Sequence, residues 1–383
     1  MLELDLTHDE IPFGTNIKIF GVGGSGGNAV NTMIENSLKG VEFIVANTDI
    51  SELQKSSAKV KLQLGKITTK GLGAGANPEI GTKAAEESID EIRNHLEGAD
   101  LIFIAAGMGG GTGTGAAPII ANLAREMDIL TIGIVNKPFN IEGKKRMLNA
   151  EMGIKKLSEL VDSLMVVPNE KLKEIYGDMT VIEAFKKADN ILFDAVKALS
   201  DMINYSGYIA VDFADLKTIM GKRGFSYMGT GIGEGETRAK DAVESAMNNP
   251  LLVDVSFENS KGTLINITAG NDVKMNEFEE ITNTIVAKAG DDGQTAIGII
   301  FDEEMKDQIK VTLIATGLGI AGTSKFERDV FVATSESNDE DIEKTLEVIK
   351  DAQSMDLNKK ETDEKKKRTM QMEIPAFLRK FSN

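Results

Sequence analysis

A glycine run set directly between a short apolar strand pattern and a helix pattern constrains this chain more than any other feature. Residues 17–20, Ile-Lys-Ile-Phe, read as a strand and lead into Gly21-Val22-Gly23-Gly24-Ser25-Gly26-Gly27-Asn28, after which apolar residues take helical spacing over 28–38. Glycine lets the backbone approach a ligand closely, and a helix start offers unpaired N–H groups at the positive end of its dipole, so the turn suits a phosphate. The same spacing satisfies GxGxxG. Asp49, which follows a second strand pattern about 20 residues on, occupies the ribose-binding place of a dinucleotide fingerprint. A third reading, glycines that merely permit tight strand–helix packing, also stands at this point.

The turn recurs. Gly107-Met108-Gly109-Gly110-Gly111-Thr112-Gly113-Thr114-Gly115 follows the strand pattern 101–106 and opens the helix pattern 116–127, with Pro118 expected near its first turn. Gly71-Leu72-Gly73-Ala74-Gly75-Ala76-Asn77-Pro78 precedes another helix. Converging turns of this kind suit a polyphosphate with a terminal γ-group, whereas a dinucleotide needs fewer. No GxxxxGK[ST] occurs, and Asn136-Lys137-Pro138-Phe139 lacks the acid of a Ras-type guanine motif, so the chain is not a P-loop protein.

Strand patterns at 17–20, 41–46, 101–106, 129–135 and 164–167 alternate with helix patterns at 28–38, 79–96, 116–127 and 143–160, which predicts a doubly wound parallel α/β sheet. Helical spacing then holds over 180–205, a strut of roughly 39 Å. Beyond it come a short helix at 213–220, strands at 225–228, 264–269, 295–301 and 310–316, and helices at 235–248 and 274–288. The expected organisation is an extension (1–12), a nucleotide-binding domain (13–179), a central helix (180–205), a loop with a short helix (206–221), a smaller α/β or α+β domain (222–320), a flexible linker (321–371) and a tail (372–383). Residues 336–356 carry eight acids against two bases, as a solvated linker does, while Ile374, Pro375, Phe377, Leu378 and Arg379 form an apolar patch like a short docking motif.

Forty-three basic against 60 acidic residues give a net charge of −17, which argues against a nucleic-acid partner because phosphate backbones need a basic face. With no Cys, disulfides and thiol chemistry are excluded, and the only histidines, His8 and His95, stand far apart, so no protein-held metal is assigned. The first ten residues are acidic rather than signal-like, and no run of 18 apolar residues follows. The expectation is a cytoplasmic protein whose membrane contact is indirect.

Residues 109–115, GGGTGTG, resemble the signature of the tubulin and FtsZ superfamily, and the chain is similar to its bacterial FtsZ branch over roughly 13–320. The likeness runs through Asn47-Thr48-Asp49, the turn at 71–78, Lys137-Pro138-Phe139, Glu142, Arg146, Val167-Pro168-Asn169, Phe185, Asp189 and Val211-Asp212-Phe213-Ala214-Asp215, and resumes at 374–379. It implies GTP or GDP as ligand, with Mg2+ held mainly by phosphates and water. By the same resemblance Gly23, Gly24, Ser25, Gly26, Gly27 and Asn28, with Gly109, Gly110, Gly111, Thr112, Gly113 and Thr114, hold the phosphates. Ala74 and Gly75 sense the γ-phosphate, Glu142 and Arg146 close over ribose and phosphate, and Asn47, Asp49 and Asn169 belong to the nucleotide site. Phe185 stacks on the base, and Asp189 accepts two hydrogens from the guanine edge, rejecting adenine. Without the resemblance, Phe185 reads as an ordinary core aromatic and Asp212 as a helix cap.

The resemblance further implies that Asp212 and Asp215 complete the catalytic site of the next subunit in a head-to-tail filament, a contact that does not close on itself. Such a filament builds the cytokinetic ring of bacteria, and its tail binds membrane-tethering adaptors of the FtsA, SepF or ZipA type. Two alternatives from other classes are a Rossmann oxidoreductase and a filament scaffold of the same fold with little hydrolysis. The second arises because Ala210 stands where the family's loop has Asn, and Ala cannot hydrogen-bond a water. Losing one or two such bonds slows turnover by about 10–100-fold. Ala210→Asn should therefore raise the rate of phosphate release; an unchanged rate contradicts the idea.

Overall fold

In a computed structural model, residues 14–177, 179–204, 209, 211–248, 260–289 and 293–318 are described. Strand β1 (Ile17–Val22) runs into helix α1 (Gly23–Glu35), followed by β2 (Glu42–Asn47), α2 (Ile50–Lys55), β3 (Val60–Gln63), α3 (Pro78–Glu87) and α4 (Ile89–Leu96). Then come β4 (Leu101–Gly107), α5 (Thr112–Glu126), β5 (Leu130–Lys137), α6 (Lys144–Ser158), β6 (Ser163–Pro168) and α7 (Asn169–Tyr176). The remainder comprises α8 (Val181–Asn204), α9 (Phe213–Met220), β7 (Phe225–Glu234), α10 (Arg238–Met247), β8 (Gly262–Ala269), α11 (Met275–Ala289), β9 (Gln294–Phe301) and β10 (Gln308–Leu318).

All ten strands share one sheet in the order β3-β2-β1-β4-β5-β6-β7-β10-β8-β9. The pairs from β3 to β6 are parallel, and both sheet faces are covered, which is why β1 and β4 are apolar nearly throughout. Side-chain alternation splits the core: Ile17, Ile19, Leu101 and Phe103 pack toward α1 and α8, while Phe20, Val22, Ile102 and Ile104 pack on the other side with Ala84, Ile92, Ile120 and Leu157. Lys18 breaks the apolar run yet is buried, because its Nζ donates to the carbonyls of His95 and Glu97 at 2.9 Å each, capping the end of α4.

The glycine-rich turns are themselves helix. Helix α1 begins at Gly23 rather than at the expected 28, and α5 at Thr112 rather than 116, so Pro118 lies inside α5 instead of in its first turn. Glycine is a poor helix former; here packing overrides propensity. A Cβ on Gly26 would collide with the carbonyl oxygen of Ala105 in β4, so only glycine lets α1 lie this close to the sheet. The expected helix 79–96 is broken at Ser88, whose Oγ accepts the N–H of Gly65 at 3.0 Å. None of α2, β3 and α7 was expected.

Helix α8, 24 residues and about 36 Å long, buries Ala188, Leu192, Ala195, Val196, Leu199 and Met202 on one stripe and leaves Val181, Ile182 and Phe185 exposed at its start. The sheet continues past it. β6 pairs with β7 through only Leu164–Phe225 and Met165–Ser226, after which β7, β10 and β8 run antiparallel and β9 parallel to β8. α10 and α11 cover this half, pinned by buried Arg238, which donates to both carboxylate oxygens of Glu277 at 2.7 and 3.1 Å and to Asp272 at 2.6 Å. Those bonds hold the Glu277 and Asp272 carboxyls below the usual range.

Gly26→Ala should displace α1 and destabilise the protein by about 1–3 kcal/mol, the usual cost of overpacking, whereas Gly24→Ala, whose Cβ meets nothing within 4 Å, should cost about 1 kcal/mol or less. Urea unfolding of the two variants measures the difference; equal losses would contradict the packing explanation.

Candidate nucleotide-binding site

Four parallel strands, β1, β4, β5 and β6, end at one edge of the sheet, and the segments leaving them enclose a cavity of about 340 Å³, within the size range of small-molecule sites. Gly23, Gly24, Ser25 and Asn28 of α1 line one side, and Gly107, Met108, Gly110, Thr112 and Gly113 the adjoining one. Neither α1 nor α5 has a side-chain cap, and neither carries an acid in its first turn. Two helix N-termini thus present unsatisfied N–H groups and positive dipole ends to one space, which selects an anion.

The second glycine turn is braced from within. Gly109, at φ +97°, has its N–H bound by Thr114 Oγ1 at 2.8 Å, and the Met108 N–H is bound by the Asn136 carbonyl at 2.9 Å. Across the cavity, Glu142 accepts the Phe139 N–H at 2.9 Å and pairs with Arg146 at 3.0 Å. Farther along lie Asn169, Phe185, Ala188 and Asp189. Phe185 meets Phe139 edge-on, with ring centroids 5.2 Å apart, which leaves its side chain 41% exposed. Burial without a facing cation pushes the Asp189 carboxyl up to about 7.

Several expected site residues do not line this cavity. Gly26 and Gly27 seat α1 on the sheet; Gly109, Gly111 and Thr114 shape the turn behind the lining residues. Asn47 accepts the Asp49 N–H at 3.2 Å, and Asp49 caps α2 by accepting from Ser51 at 2.8 Å, so the carboxylate that would read a dinucleotide ribose is engaged elsewhere. This corner holds the 71–78 turn through Ile50 N–H to Gly71 O and Gly73 N–H to Thr48 O. Ala74 and Gly75 line a neighbouring, larger hollow of about 970 Å³ between α3, α5 and α6, with Ala74 lying behind Gly111. Among the described residues that hollow is lined by no aromatic ring to stand beside a carboxylate, so we place the chemistry in the smaller cavity.

Asp212 and Asp215 are exposed and stand apart from the cavity. Asp212 caps α9, accepting the Asp215 N–H at 2.7 Å, as an N-cap does. Lys217 of the same helix pairs at 3.4 Å with Asp128, just before β5, whereas the cavity lies at the other end of that strand, roughly 20 Å away. Ala210 lies outside the described residues, as do the linker and the tail. Among the described residues no cluster of three or more His, Asp or Glu is arranged to hold a metal, and no helix is long and apolar enough to cross a membrane. Lining residues not expected as site residues are Val22, Gly107, Met108, Asn136, Pro138 and Ala188; of these only Asn136 has a polar side chain, and an Asn at a strand end carries no signal of its own.

Uncapped helix ends at a glycine-lined edge, with a carboxylate and an aromatic ring at the far end, define a nucleotide-binding α/β protein. The family model "Tubulin/FtsZ family, GTPase domain" matches residues 16–177, and "FtsZ family, C-terminal domain" matches 224–319. A cell division protein FtsZ of Coxiella burnetii is 51% identical over 309 residues, covering 80% of each chain, and one of Buchnera aphidicola is 45% identical over 372 residues, covering 96% of this chain and 97% of the relative. A solved FtsZ dimer of M. jannaschii superposes with a TM-score of 0.75 at 38% identity, covering 81% of this chain and 93% of that one. The chain belongs to the Tubulin/FtsZ family and is a GTPase of that family. The non-hydrolysing scaffold and the oxidoreductase are accordingly not favoured.

An ionised Asp189 accepts hydrogen bonds that its protonated form cannot. Were Asp189 to accept hydrogens from the base, GDP affinity should hold steady above about pH 8 and fall toward tenfold per unit below about pH 6, because protons would compete for the carboxylate. Asp189→Asn should flatten that fall in calorimetric titrations; an equally steep fall in the variant would contradict the assignment.

Proposed function

We propose that the chain binds GTP across the cavity and hydrolyses it only when a second subunit stacks on that face. The uncapped starts of α1 and α5 support the triphosphate, with Ala74 and Gly75 approaching its terminal phosphate from behind Gly111. Arg146 and Glu142 close over the middle of the ligand. Phe185 offers its exposed ring to the base, and Asp189 accepts two guanine hydrogens, a pattern that adenine cannot supply. Mg2+, where bound, is held chiefly by phosphate oxygens and water and neutralises charge on the transferred group.

One observation carries the assembly reading. Of the two acids lining the cavity, Glu142 is paired with Arg146 and Asp189 stands at the aromatic end, while the exposed acids Asp212 and Asp215, with no ion pair among the described residues, stand at the opposite end of the sheet. One copy cannot bring these together; head-to-tail stacking does. In that arrangement the carboxylates of one subunit position a water in line with the γ-phosphate held by its neighbour. The contact is heterologous and propagates a filament.

In this reading the filament forms the division ring at mid-cell, in the cytoplasm. Ile374, Pro375, Phe377, Leu378 and Arg379, which lie outside the described residues, form the segment that adaptors of the FtsA, SepF or ZipA type grip, and the linker raises their effective concentration. Phosphate release per protein molecule, measured against protein concentration with magnesium, should be near zero below a threshold and rise above it. Asp212→Ala should lower the rate by about 100-fold or more while leaving GDP binding unchanged. A constant nonzero rate at all concentrations would show a self-contained site and remove Asp212 and Asp215 from it.

A further inference from the structure

Thr48 and Thr112 meet through their hydroxyls. The two Oγ1 atoms lie 2.6 Å apart, Thr48 is wholly buried, and Thr112 lines the cavity as the first residue of α5. Among the described residues neither hydroxyl has a second hydrogen-bond partner. The contact is a long reach: Thr48 follows β2 and Thr112 follows β4, with β1 between them in the sheet. Gly23, just after β1, makes room for it, since a Cβ there would stand 2.9 Å from the Gly113 nitrogen and 3.4 Å from Thr112 Cβ.

The backbone of the same residue holds the 71–78 turn. The Thr48 carbonyl accepts the Gly73 N–H at 3.2 Å and the Thr69 hydroxyl at 3.2 Å. That turn abuts the start of α5, because a Cβ on Gly111 would come within 2.7 Å of Ala74 Cβ and 3.0 Å of the Asn77 nitrogen. The order of the strands gives the direction of the ligand. Asn169, which follows β6, stands with Phe185 and Asp189 at the base end, so a phosphate chain runs toward β4 and β1. Its terminal group then arrives where Thr112, Thr48 and the 71–78 turn meet. An ionised phosphate oxygen only accepts hydrogen bonds, so Thr112 must donate to it and Thr48 must in turn donate to Thr112. Bonds in such a chain polarise and strengthen one another.

We propose that Thr48 is a positioning residue for the terminal phosphate: its buried hydroxyl donates to Thr112 Oγ1 and turns the Thr112 hydrogen toward that group. This rests on the reading that the cavity takes GTP. The Thr48 carbonyl meanwhile keeps the 71–78 turn against the same helix start, so the phosphate contact and the turn share one support. The two roles separate chemically, because removing the hydroxyl leaves the bonds to the carbonyl in place.

Calorimetric titration of the full chain below its assembly threshold, with magnesium and either GDP or a slowly hydrolysed GTP analogue, tests the inference. Thr48→Val, which keeps the shape and removes the hydroxyl, should weaken the GTP analogue about 3- to 10-fold, the worth of one hydrogen bond, and GDP by about twofold or less. Thr48→Ser, which keeps the hydroxyl, should restore most of the loss. In a Thr112→Val background Thr48→Val should change analogue affinity by less than about twofold, because the relay has already lost its last member. Thr48→Ala serves if the valine variant does not fold. Unchanged analogue affinity on loss of the Thr48 hydroxyl, or an effect fully retained in the Thr112→Val background, overturns the relay. Equal weakening of GDP and the analogue that serine does not rescue also overturns it and assigns Thr48 to bracing the corner. A wild type that binds an ATP analogue as tightly as the GTP analogue overturns the guanine reading alone, and the relay is then read from the same variants with that ligand; a wild type that binds neither triphosphate overturns both.

Discussion

The structure depends on α1 lying directly against β4 with no side chain between them. The Cα of Gly26 sits so close to the Ala105 carbonyl that any Cβ would collide with it, and this contact fixes where the first N–H groups of α1 point. Helix α5 starts beside it from the adjacent turn, held by the Thr114–Gly109 and Asn136–Met108 hydrogen bonds. Packing thus overrides the poor helix propensity of a glycine run and converts two helix ends into one anion site.

That site is kept unsatisfied in the empty protein. Two helix N-termini have no side-chain cap, the side-chain oxygens of Asn136 and Asn169 have no partner in the protein, and the Asp189 carboxyl is raised by burial without a cation beside it. Each can gain a hydrogen bond or charge partner on binding, so nucleotide should stabilise the chain by linkage. The acids proposed to complete the site, Asp212 and Asp215, are absent from the cavity for a topological reason. They follow α8, which starts at the nucleotide edge and carries the chain to the other end of the sheet, so in the proposed function the binding and hydrolysis groups stand at opposite ends of the sheet and meet only between copies.

Much of this was legible in the sequence. The strands of the parallel half are continuous apolar runs bounded by glycine, and the 3.6-residue spacing of 180–205 reads directly as α8; Phe185 and Asp189, four apart, do reach one cavity. What was not legible depends on contacts distant in sequence. β3 has four residues and buries only Leu62, too short for a period to show. The helical starts within the glycine runs are set by β4, not by local preference. Continuity of the sheet across β6 and β7 rests on two residue pairs that no pattern announces. Asn136 lines the cavity without any pattern to announce it, and Asp212 reads locally as the N-cap that it also is.

The central claim, that one subunit's acids complete its neighbour's nucleotide site, is tested most directly by mixing two inactive variants. One carries Asp212→Ala with Asp215→Ala and keeps its cavity; the other keeps its acids but loses nucleotide binding through Asp189→Ala with Arg146→Ala. If the site forms between copies, a one-to-one mixture regains a measurable fraction of wild-type phosphate release, about a quarter when the variants incorporate at random, because one junction in four then pairs a working cavity with working acids. If the mixture releases no more phosphate than the two variants measured separately, while co-assembly is seen by sedimentation, the site is not shared and the account fails.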